Sequence, residues 1–205
     1  VLYDMMIVWR AFSTIPDPIR GFEGHPMVVA IVDATVQKIY RPSRDIQRRF
    51  YSGKHKFHCL KSQVVIQPGT GFIMGVVAGK EGAVHDKRIF DESGVRQLVR
   101  SHETILADSG YQGIHRHMRA LLPFKRRRNI SLTIYQRNFN RRLSRNRIKV
   151  ENIIGKIKEF RLLDKRWRGK VPHSPLYSQA FSLAAALVNM KLQQAFLRQF
   201  YEESQ

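Results

Sequence analysis

A chain of 205 residues, 43% of them hydrophobic, is long enough for one domain or one domain with a small extension, and too apolar for disorder. Its 36 Lys and Arg against 16 Asp and Glu give a net charge of +20 and a pI near 10.7, an excess whose self-repulsion points to a polyanionic partner. No apolar run approaches the roughly 20 residues of a membrane-spanning helix, which puts nucleic acid ahead of an anionic membrane surface, and the lone Cys59 excludes an internal disulfide.

The first residue is Val1, not Met, and a helix over residues 2–12 begins almost at once, so the chain reads as a piece of a longer protein. Ile15-Pro16-Asp17-Pro18 ends that helix, because each proline lacks a donor and pushes its predecessor out of helical space. Residues 28–36 (VVAIVDATV) are almost continuously apolar and β-branched, the pattern of a central strand buried on both faces. A charged connection follows over 41–49. Residues 56–67 alternate as a second strand, 68–71 (PGTG) form a turn, and 72–78 form a third strand.

The period then changes. Ile89, Phe90, Val95, Leu98 and Val99 predict a helix over 86–100, weakened by Gly94. Residues 104–107 are a short apolar strand that runs into Asp108-Ser109-Gly110. A long helix over 132–160 carries Leu143, Val150, Ile153, Ile154, Ile157 and Phe160 at helical spacing, and a last helix covers 175–201. The order β-β-β-α-β-α plus a further helix predicts an α/β fold: an RNase H-like mixed sheet flanked by helices, with an additional C-terminal helix.

Three carboxylates stand out in this frame. Asp33 interrupts the most apolar strand, where an unpaired charge is expensive to bury. Asp108 ends another apolar strand. Glu151 lies about a quarter turn from the Val150/Ile154/Ile157 stripe, at about 100° per residue, along the edge of the buried face. Two strand carboxylates and one helix carboxylate converging at one sheet end make a hard-oxygen site for Mg²⁺ or Mn²⁺. Two such ions activate a nucleophile and stabilise the leaving oxygen in phosphodiester cleavage. Taken singly, each carboxylate equally suits a structural pairing with one of the many arginines.

Five segments resemble one family. They are IVDAT (31–35), YSGKHKFHCLK (51–61), GAVHD (82–86), ADSGYQG (107–113) and FNRRLSRNRIKVENIIGKIK (139–158). In this order over some 130 residues they resemble the nuclease domain of the Harbinger-type and related bacterial insertion-sequence transposases, the DDE superfamily endonucleases. One departure is DAT where relatives more often show DGT. The resemblance implies that Asp33, Asp108 and Glu151, 75 and 43 positions apart, are a catalytic and metal-binding triad for Mg²⁺ or Mn²⁺, with two ions. It implies cleavage at transposon ends, followed by attack of the freed 3′-hydroxyl on target DNA. It divides the chain into a helix and linker over 1–25, a catalytic core over 26–165 and a C-terminal helical extension over 166–205. Such transposases usually carry an upstream helix-turn-helix for reading terminal repeats, and none is found here. The analogy allows a homodimer and a separate DNA-reading domain or subunit.

Residues 125–170 hold 17 Lys or Arg against Glu151, Glu159 and Asp164. A basic collar around an acidic site lets DNA approach carboxylates that would otherwise repel it. The candidate nucleic-acid contacts are Lys125, Arg126, Arg127, Arg128, Arg141, Arg145, Arg147 and Lys158. The Lys125–Arg128 cluster also suits nuclear import, and as a bland alternative it is a solvated loop. The expected compartment is the nucleus in a eukaryote and the cytoplasm or nucleoid in a bacterium. Trp167 suits packing better than base stacking. Asp86 reads as the N-cap of its helix ahead of a role in chemistry. His55, His58 and Cys59 lack a second Cys/His pair at zinc-like spacing, Cys59 reads as an ordinary strand residue, and His115 and His117 as surface residues. Two other functions fit the same residues: a domesticated transposase domain that binds DNA or a protein without cutting, and a host nuclease of the same fold acting on RNA or hybrids.

Overall fold

The structure, a computed structural model, describes residues 27–126, 128–171 and 175–203; the predicted helix over 2–12 and its proline linker lie outside them. Six strands form one mixed sheet: β1 (Val28–Lys38), β2 (Tyr51–Ser52), β3 (Phe57–Ile66), β4 (Ile73–Glu81), β5 (Thr104–Ala107) and β6 (Ala120–Leu121). Their order is β2-β3-β1-β5-β6, with β4 also paired to β3. β1, β3 and β4 are antiparallel neighbours, whereas β5 joins β1 and β6 joins β5 in parallel. An antiparallel meander that continues into parallel crossover strands is the RNase H-like arrangement expected from the element order. β2 and β6, two residues each, are too short for a periodicity to reveal them.

β1 is apolar on both sides because both sides are covered. Ile31, Val64 and Ile66 face one core, shared with Leu143, Val150, Ile154 and Ile157 of helix α4 (Ile134–Lys158), Leu163 of the short helix α5 (Arg161–Asp164), and Phe181 and Val188 of helix α6 (Leu176–Glu203). Ala30, Val32 and Val65 face a second core with Ile89 and Phe90 of helix α2 (Asp86–Glu92) and Val95 of helix α3 (Val95–Leu98). Each fully buried Ile or Leu in these layers contributes about 2 kcal/mol. α4 starts at a capping box: Thr133 Oγ1 accepts from Gln136 N–H, and Gln136 Oε1 accepts from Thr133 N–H. α6 is tied to the edge of β4 through Asn189, whose amide bonds both the N–H and the C=O of Ile73 at 2.8 and 2.9 Å.

Two expectations are corrected here. The helix expected over 86–100 is two helices, because Gly94 adopts φ 76° in the left-handed region and ends the first. The connection over 41–49 runs into a short helix, α1 (Gln47–Phe50), anchored by buried Phe50; a single apolar residue carries no periodic signal. Among the described residues no helix is long and apolar enough to cross a membrane.

Candidate active site

The parallel register of β1 and β5 pairs Val32 with Ala107. The next residues along the chain, Asp33 within β1 and Asp108 just past the end of β5, therefore stand side by side where β5 ends. α4 crosses above them, and one turn before Glu151 it presents Arg147. The Arg147 guanidinium donates from Nη2 to Asp33 Oδ2 at 3.1 Å and from Nη1 to Asp108 Oδ1 at 3.0 Å, while its Nη2 lies 3.5 Å from Glu151 Oε1. Three carboxylates from three elements thus converge on one cation. Exposure is graded across them: the side chain of Asp33 is 15% exposed, Asp108 25% and Glu151 54%.

Burial, with the nearby Asp108 charge adding to it, raises the Asp33 carboxyl above its ordinary range; the opposing pull of Arg147 and the bond from Ala34 N–H at 2.8 Å do not fully offset it. Beneath the cluster lies Tyr111, fully buried, whose hydroxyl finds no hydrogen-bond partner. Burial, then the charges of Asp33, Asp86 and Asp108, hold that phenol well above its ordinary value. Arg147 Nε is likewise buried without a partner. Orphaned buried polar atoms are rare in folded proteins; among the described residues Gln63 and Trp167 carry others, and those of Tyr111 and Arg147 sit beside the carboxylates.

Asp86 is not an N-cap. His85 takes the extended N-cap position of α2, and the Asp86 carboxylate, inside the first turn, bonds Lys61 Nζ at 2.9 Å. The same lysine donates to Val84 O at 2.7 Å. Gly110 packs directly on this pair: a Cβ there would stand 2.6 Å from Asp86 Oδ2. Lys61, Asp86, Gly110 and Tyr111 support the loop that carries Asp108. Three of these four went unremarked as site residues in sequence, although the signal was present: all lie inside the YSGKHKFHCLK, GAVHD and ADSGYQG segments.

The basic residues divide into two groups. Lys125, Arg126, Arg128, Arg141 and Arg145 are exposed, the last two one turn apart on α4; Arg127 lies outside the described residues. Arg147 and Lys158 point inward. Lys158 Nζ donates to Val36 O at 2.8 Å, and burial lowers its pKa. Trp167 is packing: 6% exposed, it meets Tyr177 edge-on at 5.2 Å. His115 and His117 are exposed. Cys59 is buried, and burial pushes its thiol up.

The donors are all carboxylate oxygens, the set that suits Mg²⁺ or Mn²⁺. Among the described residues no three His, Cys, Asp or Glu side chains stand close enough to hold an ion, since the guanidinium separates the three that converge. The donor types therefore suit a divalent ion in chemistry.

Residues 32–189 match the family described as DDE superfamily endonuclease. A relative from Microchaete diplosiphon, described as a probable transposase for insertion sequence element IS702, is 35% identical over 167 residues. That match covers 80% of this chain and 57% of the relative's length. Among solved structures, a piggyBac transposase synaptic complex with hairpin DNA aligns at a TM-score of 0.44 and 10% identity, over 80% of this chain and 46% of that one.

Proposed function

This chain belongs to the DDE superfamily endonucleases, and from that premise we propose that it is the catalytic core of a cut-and-paste DNA transposase, with Asp33, Asp108 and Glu151 as its metal-binding triad. The observation that carries this reading is the convergence of those three carboxylates on one cationic centre. Divalent ions bound there would supply Lewis-acid stabilisation and an activated nucleophile. Asp33 in β1 and Asp108 just past the end of β5 would supply two oxygen donors. Glu151, half-exposed on a helix, supplies the third from the side open to substrate. Exposed Lys125, Arg126, Arg128, Arg141 and Arg145, with Arg127, would hold the phosphate backbone.

Asp33, Asp108 and Glu151 would hold the ions through the oxygens that Arg147 now faces. Arg147, one helical turn before Glu151, would then be available to the DNA backbone. Water would hydrolyse one phosphodiester at the transposon end, breaking its P–O3′ bond to leave a 3′-hydroxyl and a 5′-phosphate. That hydroxyl would then attack a target phosphodiester, forming a new P–O3′ bond as the target's own 3′-oxygen leaves. The division into a core over 26–165 and an extension over 166–205, a homodimer and a separate DNA-reading domain belong to the same proposal.

The test is nicking of labelled plasmid DNA with Mg²⁺ or Mn²⁺ by the chain and by its Asp108→Ala variant. Metal-dependent nicking that the variant loses is the expected result. Equal nicking by both would remove the triad assignment. A second reading, a DNA-binding descendant that no longer cuts, draws on Arg147, which neutralises the carboxylates without metal; DNA binding with no cleavage by either protein would favour it.

A further inference from the structure

The 42 residues from Ser109 to Val150 contain twelve Lys or Arg and no Asp or Glu. Inside this basic stretch the fold exposes aromatic rings. Phe124 is 41% exposed and Tyr135 66%. Both lean on Phe139, Phe124 edge-on at 5.2 Å and Tyr135 stacked at 6.4 Å with 23° between planes. Phe139 is itself partly buried against the main core, so the row of rings is rooted in the fold.

The loop that carries Phe124 is built, not draped. Asn140 of α4 grips its backbone twice: Phe124 N–H donates to Oδ1 at 2.8 Å, and Phe124 C=O accepts from Nδ2 at 3.0 Å. One residue earlier, Pro123 C=O accepts from Gln112 Nε2 at 2.9 Å. Beside Phe124 these contacts hold open a groove of about 810 Å³, whose walls include Gln112, Pro123, Lys125, Ile130 and Gln136. The next exposed side chains along the loop, Arg126 and Arg128, are cations.

An exposed ring with a side-chain amide nearby and only positive charge around it calls for a ligand with a flat apolar face, hydrogen-bonding edges and an anionic tether. A paired duplex hides its base faces in the stack; an unpaired strand offers them, and aromatic stacking with a basic track is how such strands are bound. We propose that this groove holds an unpaired nucleotide of a DNA strand, its base on Phe124, its edge toward Gln112 and Gln136, and its phosphates along Lys125, Arg126 and Arg128. That the strand is DNA and not RNA rests on the transposase reading; the stacking site does not.

Position makes the two sites parts of one path. Asn140 precedes Glu151 by eleven residues on α4, about 16 Å along the axis at 1.5 Å per residue. At roughly 3.4 Å per nucleotide while a strand stays stacked as in a duplex, and more where it is extended, a strand whose phosphate lies at the triad reaches the groove within about five nucleotides. The groove would thus capture a strand that has parted from its complement next to the cut.

The test is fluorescence polarisation in EDTA at fixed salt, with labelled duplexes that are blunt or carry an unpaired six-nucleotide DNA overhang. The wild-type chain is expected to bind the overhang about tenfold more tightly, in the range of one stacked base. Phe124→Ala and Phe124→Leu should erase that preference and leave blunt-duplex affinity unchanged; the leucine keeps apolar packing and lacks only the π face. Phe124→Trp should keep the preference and quench 2-aminopurine placed in the overhang. Equal wild-type affinity for the two duplexes, or a preference that survives in Phe124→Leu, overturns the proposal. Tighter binding of an RNA overhang overturns the DNA assignment. No step requires metal or cleavage, so a failed triad assignment and a failed stacking site give separate results.

Discussion

Arg147 and Asp33 form an ion pair at 3.1 Å across 114 residues of sequence. The same guanidinium bonds Asp108 at 3.0 Å, so one side chain neutralises what two adjacent strands bring together. Removing one partner of a largely buried ionic network leaves its remaining charges uncompensated. Arg147→Ala is therefore expected to lower unfolding stability in a chelating buffer by about 3 kcal/mol. Because no guanidinium then has to be displaced, added Mg²⁺ should raise the melting temperature of the variant more than that of the wild type. Thermal unfolding of both proteins with and without Mg²⁺ decides it; an equal metal response would show that Arg147 and metal do not share the carboxylates.

Asp33 has the opposite effect on stability in the metal-free protein. Burial raises its folded pKa above the ordinary 3.8, so the folded state favours the protonated acid. The stability this confers is complete below the ordinary value and is lost as pH rises through the raised folded value. Asp33→Asn keeps an acceptor for Arg147 and has no charge to bury. In chelator it should melt higher than wild type at pH 7, with the difference shrinking as pH falls toward 3.8. A difference that stays constant over that range would place the effect elsewhere.

Gly110 sets the distance between the Asp108 loop and α2. A methyl group there would meet Asp86 Oδ2, on the carboxylate whose Oδ1 Lys61 holds at 2.9 Å. Gly110→Ala is expected to cost about 1–3 kcal/mol, the range for overpacking, and to weaken stabilisation by Mg²⁺. The cost should be smaller in an Asp86→Ala background, where the obstructing oxygen is gone; a double-mutant cycle by urea unfolding measures the coupling. Additive effects would mean that the two residues do not press on each other.

Cys59 pairs with Lys38 at the start of β3 and is fully buried. Burial raises its thiol above the ordinary 9.0. The folded state therefore favours the neutral thiol, and this contribution is lost only as pH rises through the raised value. At pH 8 a thiol reagent should label the folded chain far more slowly than the unfolded chain. Comparable rates would show that β3 opens readily.

Much of this protein is legible in its sequence. The strand over 28–36 announced itself because burial on both faces demands an unbroken apolar run, and Asp33 stood out as the one residue violating it. The α4 stripe of Val150, Ile154 and Ile157 placed Glu151 at the margin of the buried face. These features are local, written in side-chain polarity at the period of the backbone. The short elements β2, β6 and α1 escaped because two to four residues carry no period, and α2 and α3 ran together because apolar spacing does not report a left-handed glycine.

What composition and periodicity determined, then, was which residues would be buried, which carboxylates were out of place among them, and that the surface favours a polyanion. Register and tertiary packing decided the rest. The pairing of Val32 with Ala107 sets Asp33 beside Asp108, and the crossing of α4 turns Arg147 inward while Arg141 and Arg145 on the same helix face solvent. No single-residue property separates those three arginines. Only the neighbouring strands do, because a cation goes inward where buried anions offset its desolvation and stays in water where none do.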